Sequence, residues 1–108
     1  MSTKHITKTP LDISDERLYA LADLFKVFGD STRLRIICCL FSCERCVQHI
    51  AEELHMNQSA ISHQLRLLRD RSLVSAHRDG QRVIYALADD HIGLLIGIGL
   101  EHAAEEVL

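Results

Sequence analysis

Between residues 47 and 88 the apolar pattern changes its period, and few folds accommodate that change. Val47, Ile50, Ala51 and Leu54 recur at helical spacing, "HMNQ" breaks the pattern, and Ile61, Leu65 and Leu68 resume it. Two runs rich in β-branched or aromatic residues follow, "LVSAH" and "RVIYALA", on either side of "RDGQ". An Asp-Gly pair between two such runs is the strongest short-range signal for a β-hairpin. The segment therefore predicts two short helices joined by a tight turn, then a hairpin.

Upstream, Leu18, Leu21, Ala22, Phe25 and Phe28 predict an amphipathic helix over about 15–28, stopped near Gly29. "GDSTRLRIICCLF" predicts a second helix, with Asp30 or Ser31 as its cap and Leu34, Ile37, Cys38 and Phe41 facing inward. "SCE" breaks it, and a last helix starts at about Asp90. The order is α-α-α-α-β-β-α, mainly α with a small β-hairpin. Residues 1–13 are polar, hold the only proline and read as a flexible arm; 14–108 read as one domain. With 108 residues and 47% hydrophobic side chains the chain is sized for one core.

Two helices and a tight turn form a helix-turn-helix, whose second helix enters the DNA major groove. On the fourth helix the apolar stripe leaves Gln58, Ser59, Ser62, His63 and Arg66 outward, with lengths suited to base edges and phosphates. The whole chain has a net charge of −3, yet residues 63–82 hold five arginines (Arg66, Arg69, Arg71, Arg78, Arg82) against two aspartates. That local surplus lies where phosphates would be met.

"FKVFGDSTRLRII", "NQSAISHQLRLLRDRSLVSAHRDGQRVIYAL" and the final histidine-bearing helix together resemble the ArsR/SmtB family of metal-sensing bacterial repressors, over about residues 16–106. The resemblance implies a winged helix-turn-helix homodimer that binds an inverted-repeat operator in double-stranded DNA and releases it when an inducing metal binds. It places Gln58, Ser59, Ser62 and His63 nearest the bases, and the wing near Arg78–Arg82 on the backbone or minor groove.

The C-terminal segment "ADDHIGLLIGIGLEHAAEE" carries Asp89 and His91 at one end, His102 and Glu105 at the other, and an apolar run between. On an ideal helix residues 91 and 102 point within roughly 20° of each other but lie about 16 Å apart along the axis. A zinc–nitrogen bond is only about 2 Å, so one ion cannot use both. Leu94, Leu95, Ile98 and Glu105 fall on the same face. An antiparallel second copy would bring Asp89 and His91 of one chain to His102 and Glu105 of the other, twice over. Each meeting supplies two imidazoles and two carboxylates, a tetrahedral set. Gly93 and Gly97 would let the two helices approach closely. Asp89 is off the shared face if it is already helical; it can turn back as a cap, and Asp90 is a possible substitute. The resemblance adds that these four positions match the C-terminal-helix site of the family's zinc sensors. The expected inducer is zinc, with cobalt, nickel or cadmium as alternatives. The homodimer is expected to be built from the first and last helices.

Cys43, Cys46 and His49, spaced three apart, form a second candidate site for a thiophilic metal or an oxidant. By the resemblance, family members sensing cadmium, lead or arsenic use a Cys-x-Cys pair here with ligands from the arm. Cys46 fits its first position, but Gln48 occupies the second; His5 of the arm is a partial substitute. Cys38 reads as core, and His55 and His77 as surface residues. An enzyme is not expected. Four protein ligands would close a metal's shell, and "CERC" lacks the βαβ surroundings of a thioredoxin-like site. The longest apolar run, Ile92–Leu100, is too short for a bilayer, and the N-terminus lacks an apolar signal core. A cytoplasmic protein with no membrane partner is the expectation.

Overall fold

The structure, a computed structural model, describes residues 12–107. The arm expected over 1–13 lies outside them up to residue 11. The chain divides into two compact units, 1–30 and 31–108. The first holds helix α1 (Asp15–Phe28). Ser14 caps it, its side chain accepting from the Arg17 N–H at 3.2 Å, and Asp15 and Glu16 in the first turn complement the helix dipole. Leu18, Leu21 and Phe25, which the sequence assigns to an apolar stripe, are exposed on α1 at 45–54%, while Val27 and Phe28 are buried.

The second unit runs α2 (Ser31–Ser42), β1 (Arg45–Cys46), α3 (Val47–Leu54), α4 (Gln58–Asp70), β2 (Val74–Asp79), β3 (Arg82–Leu87) and α5 (Asp90–Val107). Strand β1 is absent from the expected order. It is two residues long, too short to show a period, and exists because β3 offers it a partner. The sheet order is β1-β3-β2, all antiparallel, with Arg45 opposite Tyr85 and Cys46 opposite Ile84. Across the hairpin, Asp79 pairs with Arg82, leaving the two-residue loop Gly80–Gln81. Gly80 has φ +67° and Gln81 does not share a positive φ, the arrangement of a II′ turn.

Helix α2 packs against α3, α4, α5 and β3. Its buried side is therefore broad, comprising Ile36, Ile37, Cys39 and Leu40. This corrects the expected stripe: Leu34 and Cys38 are half-buried and Phe41 is 47% exposed. The helix still buries one side, but at 100° per residue that side is turned well away from the expected stripe and shares only Ile37 with it. The Phe41 ring instead lies beside α5, 3.6 Å from where a Cβ would stand on either Gly93 or Gly97. The glycines anticipated as a notch for a partner helix thus face an aromatic ring of their own chain. Ile50, Ile61, Leu65 and Leu68 complete the centre of this unit at 0% exposure. Among the described residues, helix α5 adds the buried Ile92 and Ile96 to it.

Candidate nucleic-acid interface

The turn between α3 and α4 is held by backbone and side chain together. His55 closes α3 in the left-handed region, φ 57° and ψ 45°, and Met56 N–H donates back to the Ala51 carbonyl at 2.9 Å. Asn57 is extended, and its side-chain oxygen accepts from the Ala60 N–H at 2.8 Å, capping α4. Entry and direction of α4 are thereby fixed. Its far end is equally defined, since Ser72 adopts φ 61° and Leu73 N–H donates to the Leu68 carbonyl at 2.9 Å.

With Ile61, Leu65 and Leu68 wholly buried, the opposite side of α4 is open. Gln58, Ser59, Ser62, His63 and Arg66 are all exposed and line one shallow groove. A more enclosed groove adjoins it at Ser62 and Arg66 and is completed by Arg69, Asp70 and Tyr85. Tyr85 was not singled out from the sequence. Only the register of β3, which brings it beside α4, reveals it. Arg69 follows Arg66 by three and Ser62 by seven, a helical spacing that was legible. Arg33 Nε donates to Gln64 Oε1 at 3.3 Å, tying α2 to α4.

Arg78 and Arg82 are both exposed near the tip of the wing. Cross-strand partners share a face, and Arg78 pairs with Val83 whereas Arg82 pairs with Asp79. The two arginines therefore leave opposite faces of the hairpin. His55 is exposed, as is His77, whose Nε2 lies 3.8 Å from Glu44 Oε1.

At the start of α5, Asp89 acts as the cap. Its Oδ1 accepts from the His91 N–H at 2.9 Å and the Ile92 N–H at 3.2 Å, and lies 3.6 Å from His91 Nδ1. The His91 side chain is 91% exposed. Leu94 and Ile98 are exposed at 63% and 66%, and every residue from Ile98 to Glu105 is exposed, His102 included. Leu95, expected on the same face, is half-buried. Among the described residues no three His, Cys, Asp or Glu side chains converge within one chain.

The cysteines are dispersed. Cys43 is exposed, Cys46 is buried at the junction of β1 and α3, and His49 is exposed. Cys39 is buried and Cys38 half-buried, the reverse of the expected order. Burial pushes both of the latter thiols up; at Cys39 the Arg45 guanidinium opposes this and Glu53 adds to it. Glu53 itself forms an ion pair with Arg45. No helix among the described residues is long and apolar enough to cross a membrane.

Comparison with known proteins gives these features a family. Residues 30–76, from the turn before α2 to the start of β2, match the model of the bacterial regulatory protein, arsR family. The transcriptional repressor SmtB homolog of Synechocystis is 36% identical over 96 residues, spanning 89% of this chain and 73% of that protein. A homodimeric winged helix-turn-helix DNA-binding domain from Mycobacterium bovis superposes with a TM-score of 0.80 at 31% identity, over 88% of this chain and 91% of that one. The AntR antimony-specific transcriptional repressor gives 0.81 at 30% identity, over 93% and 89%. The chain therefore belongs to the ArsR family of bacterial regulatory proteins, a DNA-binding transcriptional regulator of winged helix-turn-helix fold and not an enzyme.

Proposed function

We propose that the protein is a metal-responsive repressor. As a homodimer in the cytoplasm it holds an inverted-repeat operator through α4 and the wing, and it lets go when zinc joins the two C-terminal helices. The reading is carried by one observation, the line of exposed side chains along α5: His91, Leu94, Ile98, His102 and Glu105. An apolar strip left open on a helix, with metal-ligating groups at both ends, suits a second copy laid antiparallel across it. Asp89 and His91 would then meet His102 and Glu105 of the partner subunit. Two imidazoles and two carboxylates, all exposed, are a donor set that fits zinc. The Asp89 Oδ1 is committed to capping α5, leaving Oδ2 for an ion. The exposed Leu18, Leu21 and Phe25 of α1 supply further apolar surface for the dimer. The Mycobacterium bovis domain is described as homodimeric, in keeping with the dimer, and AntR as antimony-specific, in keeping with a metal-responsive repressor but not with any one metal.

Metal and operator then favour different arrangements of the two subunits, and each weakens the other equally. The test titrates zinc into a complex of the protein with a duplex selected in vitro by the metal-free protein. Wild type releases, its affinity falling about 100-fold. His102→Ala binds the duplex as wild type does and stays bound in zinc, while Cys43→Ser still releases. The reverse result would overturn the C-terminal site and establish a thiol switch at Cys43 and Cys46. That second reading is less supported, because Cys46 is buried and His49 does not converge with the two thiols.

A further inference from the structure

The enclosed groove at the C-terminal half of α4 has a chemistry distinct from the reading surface beside it. The reading groove presents an amide, two hydroxyls, an imidazole and one guanidinium, groups that discriminate base edges. The second presents the Arg66 and Arg69 guanidiniums, the Ser62 hydroxyl, the Asp70 carboxylate and Tyr85. Ser62, Arg66 and Arg69 stand at i, i+4 and i+7, so one helix face supplies all three donors. Tyr85 comes from β3, the central strand, and is half-buried between its partners Arg45 and Ala76. A helix and a strand of one packed unit therefore both line the groove. Two arginines against one aspartate leave a formal charge of +1.

We propose that this groove is a clamp for a single backbone phosphate of the bound duplex, with Arg69 and Tyr85 as its positioning residues. The proposal rests on the DNA-binding reading of α4. A phosphodiester carries one negative charge, which matches the net charge of the groove; a phosphate monoester or a free nucleotide carries more. Guanidinium groups pair with phosphate oxygens in bidentate fashion, and hydroxyl and phenol groups add neutral donors. Because Ser62 and Arg66 belong to both grooves, a strand whose bases are read at the first has its backbone at the second. The clamp thus sets how far along the duplex α4 sits. It carries no sequence information of its own.

The test measures fluorescence anisotropy with two duplexes, one selected in vitro by the wild-type protein and one of scrambled sequence, over about 50 to 200 mM salt. Arg69→Gln should weaken both duplexes to the same degree and flatten the log-affinity against log-salt slope by about 0.9 per protomer. Tyr85→Phe should weaken both about threefold with the slope unchanged, because a neutral donor displaces no counterion. Asp70→Asn should bind both more tightly, and a gain of affinity cannot come from misfolding. The proposal is overturned if Arg69→Gln leaves affinity and slope intact, or if it alters the ratio between the duplexes, which would make the groove a reader of bases. Gln58→Ala is the control, and should change that ratio alone. A wild-type protein with no salt-dependent affinity for either duplex overturns the DNA reading itself, and the clamp with it.

Discussion

At the scale of single residues, the same substitution has opposite consequences at two glycines. Gly80 and Gly99 both have open space where a Cβ would stand, so no neighbour opposes alanine at either. Gly80, however, holds φ +67° at the wing tip, and an L side chain there costs roughly 1–2 kcal/mol. Gly99 is an exposed interior position of α5, where alanine is favoured by about 1 kcal/mol. Urea unfolding should show Gly80→Ala less stable and Gly99→Ala more stable than wild type. The thiols give a second expectation. With their thiols pushed up by burial, Cys38 and Cys39 stay protonated at neutral pH, and only the thiolate is nucleophilic. Iodoacetamide should label the exposed Cys43 first, and labelling of Cys38 and Cys39 should accelerate only as the solution is made alkaline. Peptide mapping after brief exposure at several pH values checks this; rapid labelling of Cys39 at neutral pH would contradict it. Some residue roles were legible before folding was considered. Asp89 was one of two candidates, and its position one residue ahead of α5 settles it as the cap. Tyr85 was not legible, because its importance lies in a strand register that no local pattern encodes.

At the scale of elements, what the sequence revealed depended on how far local pattern, rather than tertiary neighbours, decides each element. Helix α4 is buried on one side only, so Ile61, Leu65 and Leu68 stood out at their 3.6-residue period and all three are fully buried. The hairpin was equally plain, since its turn chemistry and flanking β-branched residues agree. Helix α2 was legible as a helix, and Ile37 is interior as expected, but the buried side is turned so that Cys39 rather than Cys38 is interior, because neighbours from three helices and β3 set its direction. Strand β1 left no trace, as two residues carry no period and its pairing with β3 is tertiary. Gly93 and Gly97 were read as a seat for another helix, yet Phe41 of α2 already occupies that side. Of the stripe expected to meet a partner, Leu94 and Ile98 are exposed and Leu95 is half-buried.

At the scale of the whole molecule, those two side chains make the dimer testable without disturbing the protomer. Leu94→Glu and Ile98→Glu alter residues that are 63% and 66% exposed, so the single-chain core remains intact. Sedimentation should find the doubly substituted protein monomeric with an unchanged circular dichroism spectrum. It should bind operator weakly, because one protomer reaches only one half-site. A dimer that persists would place the subunit contact elsewhere.

Helix α5 is fastened to its own chain along its N-terminal half, where Ile92 and Ile96 are buried and Gly93 and Gly97 face Phe41, while Ile98 to Glu105 lie open to solvent along a stretch that includes Gly99. A helix tethered at one end and weakened in the middle frays from its free end at little cost. Amide protons of residues 98–105 should therefore exchange with deuterated water far sooner than those of α4, whose inward side is sealed. Whatever covers this stretch slows that exchange, and by mass action each increment of cover adds to the stability of the whole. Deuterium uptake along one helix thus becomes a gauge of occupancy, reading in a single measurement whatever comes to cover it.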